Sequence, residues 1–135
     1  MKLVTNISFF LLFVSTASSQ ELKDLVGRWE RIEGNFIGMK IEVDYKTGVL
    51  LTSSDNNYFE EGDVKWKDLV QIENGQFGVK SLLIELGVNN EPIASLYIEK
   101  IIWFIADDLI CVMSRNYNAL NSSGHIQYWV RQNSI

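Results

Sequence analysis

The sequence predicts an all-β protein, an eight-stranded antiparallel up-and-down barrel. Three observations lead there. From Gly27 onward apolar and polar residues alternate with period two in one segment after another, the spacing that lines one face of a strand. Turn-forming residues separate those segments at short intervals. No segment carries the 3.6-residue apolar repeat over enough length to make a helix that covers a sheet face. Consecutive strands joined by short turns leave two unpaired sheet edges unless the sheet closes on itself, and closure removes both.

In chain order, residues 1–19 read as an export signal. Lys2 gives a positive start, Ile7 to Val14 a short apolar run, and Ala17-Ser18-Ser19 the small residues for cleavage before Gln20. The run is shorter than the roughly 20 residues that cross a bilayer as helix, so no membrane span is expected. Residues 20–135 are expected to form one barrel domain that works outside the cytoplasm, periplasmic or secreted.

A helical turn is predicted over 21–26, followed by strands over 27–33, 36–45, 48–54, 63–73, 77–86, 93–105, 108–114 and 125–132. In the second strand Ile37, Met39, Ile41, Val43 and Tyr45 interleave with Gly38, Lys40, Glu42 and Asp44. In the fourth, Val64, Trp66, Val70 and Ile72 fall on one side and Lys65, Lys67, Gln71 and Glu73 on the other, with Asp68 breaking the alternation. The fifth and eighth strands carry apolar residues on both faces. So does the sixth, where Tyr97, Ile101 and Trp103 share a face with Glu99 while Leu96, Ile98, Ile102 and Phe104 share the other with Lys100. Either face could point inward. Turns are expected at Gly34-Asn35, Lys46-Thr47-Gly48, Glu61-Gly62-Asp63, in the loop that holds Pro92, and at Asp107-Asp108. Asn74-Gly75 lies between two alternating runs and predicts a type I′ hairpin with both residues at positive φ.

Composition limits the function. Hydrophobic residues make up 47% of the chain, enough for a packed core, which excludes a disordered or fibrous protein. One cysteine and one histidine exclude an intrachain disulfide and a Cys/His zinc site. A net charge of −5 argues against nucleic acid, whose binding rests on clustered Lys and Arg. No cofactor or metal is expected. Cys111 lies in the apolar run Leu109-Ile110-Cys111-Val112-Met113 with no basic neighbour and reads as a buried small side chain.

The segment Leu25-Val26-Gly27-Arg28-Trp29 resembles the Gly-x-Trp opening of lipocalins and the wider calycin group. The resemblance implies that Gly27 and Trp29 stand at one end of the barrel, with Trp29 stacked against an arginine of the last strand. Arg131 is the candidate, Arg115 the second. Ala106-Asp107-Asp108 keeps only the aspartate of the family's Thr-Asp-Tyr element, and neither the family's C-terminal helix nor its disulfide is expected here. The sequence thus looks like a short bacterial lipocalin-like barrel.

Chemistry offers little else. His125, beside Ser122-Ser123-Gly124, is the one histidine, but no nucleophile elbow accompanies it, and no catalytic residue is assigned. The acidic stretch from Asp55 to Asp63 fits no calcium loop. Tyr and Trp pair an apolar body with one polar handle, which suits a pocket for a small amphipathic molecule. The expected ligand-binding residues are Tyr45, Trp66, Tyr97 and Trp103, with Met39, Ile84 and Met113 as apolar wall. The function expected is therefore a non-catalytic, exported binding protein that carries or sequesters a small apolar or amphipathic molecule. The alternative is a solid-cored barrel acting as a structural or protein-interaction domain.

Overall fold

The protein is described by a computed structural model over residues 20–33, 36–52, 58–114 and 126–132. The expected export signal, Gly34-Asn35, Arg115 and His125 with its neighbouring serines lie outside the described residues. Among the described residues no helix is long and apolar enough to cross a membrane.

One turn of helix, α1 (Leu22–Leu25), leads into eight strands: β1 (Gly27–Glu33), β2 (Lys40–Val43), β3 (Gly48–Thr52), β4 (Val64–Glu73), β5 (Gln76–Leu86), β6 (Pro92–Ala106), β7 (Leu109–Ser114) and β8 (Gln127–Arg131). Each pairs antiparallel with the next, and β8 pairs with β1 to close the barrel. The interior takes alternate residues: Trp29 and Arg31 from β1, Ile41 and Val43 from β2, Ile102 and Phe104 from β6, Ile110 and Val112 from β7, Gln127 and Trp129 from β8, all buried. The connections sort by length. Those between β2 and β3, β4 and β5, and β6 and β7 are tight turns at one end, here called the floor; the longer ones gather at the other, the loop end.

Several elements differ from expectation. The second strand starts later, because Phe36 (φ 61°) and Gly38 (φ 94°) make a turn, and Tyr45 falls in the next turn, closed by Asp44 accepting from the Lys46 and Thr47 amides at 2.7 and 2.6 Å. Pro92 opens β6, a position where the missing N–H costs no ladder bond. At Asn74-Gly75 only Gly75 has positive φ (76°), and a register shift between Gln71 and Glu73 absorbs the difference. The turn is a positive-φ glycine preceded by a bulge on β4, not the expected type I′.

The expected sidedness of β4 also fails, for a local reason. Gly48 pairs with Trp66 and Val49 with Val64, so no β3 residue faces Lys65. That bulge puts two consecutive residues on one face, and Lys65 and Trp66 are both buried, 4% and 0% exposed. A second irregularity at Asp68 (φ 54°) lies where the alternation breaks. Beyond it Val70 and Ile72 turn outward and are exposed.

Candidate functional site

The floor is a lock. The Arg131 guanidinium lies 4.4 Å from the centroid of the Trp29 ring, a cation–π contact worth about 0.5–2 kcal/mol. It also donates to the carbonyls of Val26 (3.1 Å), Asp24 and Asp107 and to the Asp108 carboxylate (3.2 Å). Trp29 Nε1 donates to the Leu25 carbonyl at 2.9 Å, which draws α1 across the opening. The Gly75 amide donates to the Gln20 carbonyl at 2.9 Å. Phe104 packs edge-on against both Trp29 (6.0 Å) and Phe77 (5.8 Å), so this half of the interior is apolar and filled with rings.

The other half differs. Arg31, Lys65, Ser81, Lys100 and Gln127 are the buried polar residues of the described chain, and no Asp or Glu is among them. Arg31 follows Trp29 at the next inward position of β1. Lys100 alternates with Ile102 and Phe104 on β6 and pairs with Val79. Ser81 pairs with Trp66 across β4 and β5. Gly48 opposite Trp66 leaves room for the indole, since a Cβ there would lie 3.2 Å from Trp66 Cβ.

Two of the three cations lean on rings and carbonyls. Lys65 Nζ is 4.6 Å from the centroid of the Phe59 ring and donates to the Leu82 carbonyl and, at 3.4 Å, to Ser81 Oγ. The Arg31 guanidinium is 6.0 Å from the Trp129 ring and 5.9 Å from Phe36, and its Nε reaches the Glu33 carbonyl at 3.4 Å. Lys100 has no hydrogen-bond or ion-pair partner among the described residues. Carboxylates pair elsewhere: Arg28 with Glu42, Lys40 with Glu30 and Lys80 with Asp68 are all surface pairs.

Electrostatics follow from this crowding. Burial, then the charges of Lys100 and Arg31, pulls the Lys65 ammonium down to about 7. Burial, then the Arg31 charge, pulls Lys100 down to about 8. Burial alone brings Arg31 to about 10. Beside them, Trp66 packs edge-on against Trp129 at 5.2 Å. Trp129 Nε1 donates to Gln127 Oε1 at 3.1 Å, but Trp66 Nε1 has no partner, the one such buried side-chain atom among the described residues. Buried polar groups ordinarily find partners, so an orphan calls for an explanation.

No known protein family, curated protein or solved structure matches this chain.

Of the four residues expected to line a pocket, Trp66 points into the barrel. Tyr45 is 58% exposed in the turn between β2 and β3, at the floor. Tyr97 and Trp103 share the face of β6 opposite Lys100, Ile102 and Phe104. The Tyr97 hydroxyl donates to the Val64 carbonyl at 2.8 Å, and its ring lies under Lys67 Nζ at 4.0 Å. Met39 is buried in the core and Ile84 packs against it, while Met113 is half-buried opposite Ile101. Sequence reasoning passed over Arg31, Lys65, Ser81 and Gln127. The available signal was Lys100, a lone cation on an otherwise apolar strand face.

Proposed function

We propose that this chain is an exported, non-catalytic binding protein that carries or sequesters a small amphipathic molecule inside its barrel, in the manner of short bacterial lipocalin-like proteins. The observation that carries the reading is the unpartnered Trp66 N–H, buried in the interior half that faces the long loops. A self-sufficient core satisfies its donors; this interior holds one in reserve. The asymmetry of the barrel agrees: one end is bolted by Arg131 and filled with rings, and the other combines polar donors with aromatic walls, the mixture found in small-molecule sites.

Native mass spectrometry of freshly purified protein tests the reading, alongside titration with the neutral fluorophore N-phenyl-1-naphthylamine. A co-purified small molecule, or saturable probe binding that quenches tryptophan emission, is the expected result. Absence of both removes the carrier. A second reading, a protein-interaction domain, draws on the β5–β6 hairpin tip, where Leu86 (40%), Val88 (98%) and Ile93 (59%) are exposed; it predicts no probe binding at all.

A further inference from the structure

Resting on that carrier reading, we infer that the interior takes its ligand by an oxyanion group, a carboxylate, phosphate or sulfate, held by Arg31, Lys65, Lys100 and the Trp66 indole N–H. The interior offers a set of groups biased to donation. An ammonium brings three donors, a guanidinium five and an indole one, with no acceptor in any of them. A neutral alcohol or amide would leave these charges uncompensated, and a cationic ligand would add to the repulsion. Only an anion answers both the charge and the donor surplus.

Energetics point the same way. An unpaired charge taken out of water costs several kcal/mol, and a buried pair is tolerable only when a counter-charge completes it. Here three cations share one enclosure, in a protein whose 17 acidic residues outnumber its 12 basic ones. No buried acid among the described residues answers them. The depressed basicity of Lys65 and Lys100 is the cost of that arrangement in the free protein, and a bound anion would reverse it.

The register also gives the ligand a direction. Leu83 pairs with Leu96 on the same β5–β6 face as Ser81 and Ile98, two residues nearer the loop end, and both leucines are partly exposed, 42% and 39%. The cations therefore lie deeper than this apolar rim. An amphiphile enters acid-first and leaves its tail along Leu83 and Leu96. The acidic outer surface disfavours a polyanion, which would have to approach against like charge.

The test compares sodium dodecanoate, 1-dodecanol and inorganic phosphate as probes of the purified protein by tryptophan fluorescence and calorimetry. Dodecanoate should bind at least tenfold more tightly than dodecanol. Lys65→Met and Lys100→Met should each weaken dodecanoate tenfold or more while leaving dodecanol within twofold. Because each variant removes an unpaired buried charge, its unfolding midpoint should equal or exceed that of the parent, so lost binding is not lost folding. Phosphate that competes with dodecanoate supports the oxyanion site, and phosphate binding as tightly as dodecanoate keeps the site but ends the amphiphile carrier. Equal binding of dodecanoate and dodecanol, unchanged by either variant, overturns the inference and leaves the carrier standing. No binding of any probe overturns both.

Discussion

Gly27 is held so close to the Arg131 guanidinium that a Cβ on residue 27 would lie 3.2 Å from Nη1. The backbone there has φ +135°, a region that residues with a side chain rarely occupy. Glycine is thus favoured by conformation, and a Cβ would also press on the pinned guanidinium. Gly27→Ala should cost about 1–3 kcal/mol, read as a lower urea midpoint with an unchanged slope. A midpoint equal to the parent's would mean that the floor gives way easily and is no lock.

Arg131 binds through shape as well as charge. Its guanidinium spans the Trp29 face, three carbonyls and Asp108, which an ammonium cannot reproduce because it lacks the planar fork. Arg131→Lys should therefore lose about 2 kcal/mol, built from charged hydrogen bonds worth about 1.5–3 kcal/mol each and partly replaced by water. Near-UV circular dichroism should lose the Trp29 contribution. Full stability in the lysine variant would reduce the contact to simple charge.

Stability should rise with pH between 7 and 9. Lys65 titrates near 7 and Lys100 near 8 in the folded chain, against about 10.4 when unfolded. In that interval the unfolded chain holds more protons, so deprotonation favours the fold, by up to about 1.4 kcal/mol per pH unit for each of the two groups. The groups facing Lys65 are Lys100, Arg31, Ser81 and the Phe59 ring, with no carboxylate among the described residues to invert the sign. Above this window burial raises the Cys111 thiol and opposes the trend. The double variant Lys65→Met, Lys100→Met should flatten the profile. A flat profile in the parent would show that the two ammonium groups are solvated.

Cys111 faces Trp103 and Tyr128 on the neighbouring strands, is 5% exposed, and its thiol is pushed up by burial, partly offset by a hydrogen bond with Tyr128. Since the thiolate is the reactive form, an aromatic disulfide reagent should modify the native protein slowly, at a rate set by movement of the side chains that cover the sulfur on the outer face. Urea should release the thiol at once. Modification within seconds in buffer would place the sulfur in solvent.

Strand number was legible because it is local: alternation reports a strand, and Gly, Asn and Asp report its end; closure followed from it, since successive short-turned strands leave two open edges unless the first meets the last. The irregularity at Asp68 was visible in the same way, as a break in the alternation. The interior was harder to read. On β6 either face has enough apolar residues to be the core, and the choice of Ile102 over Trp103 depends on how β5 and β7 pair with it. Lys65 was hidden by a bulge set in the pairing of Gly48 with Trp66, residues 48 and 66 in the chain. Lys100 left a trace, since a cation between Ile98 and Ile102 is an odd component of an inward face. Its meaning emerged only beside Arg31 and Lys65, which come from other strands.

The bolt across the floor joins Asp24 and Trp29 to Arg131, partners separated by most of the barrel's sequence. A polypeptide made from its N-terminus holds the socket ready long before the pin arrives. The ring cannot snap shut early, and the same geometry that secures the finished barrel leaves the growing chain pliable until its final strand is made.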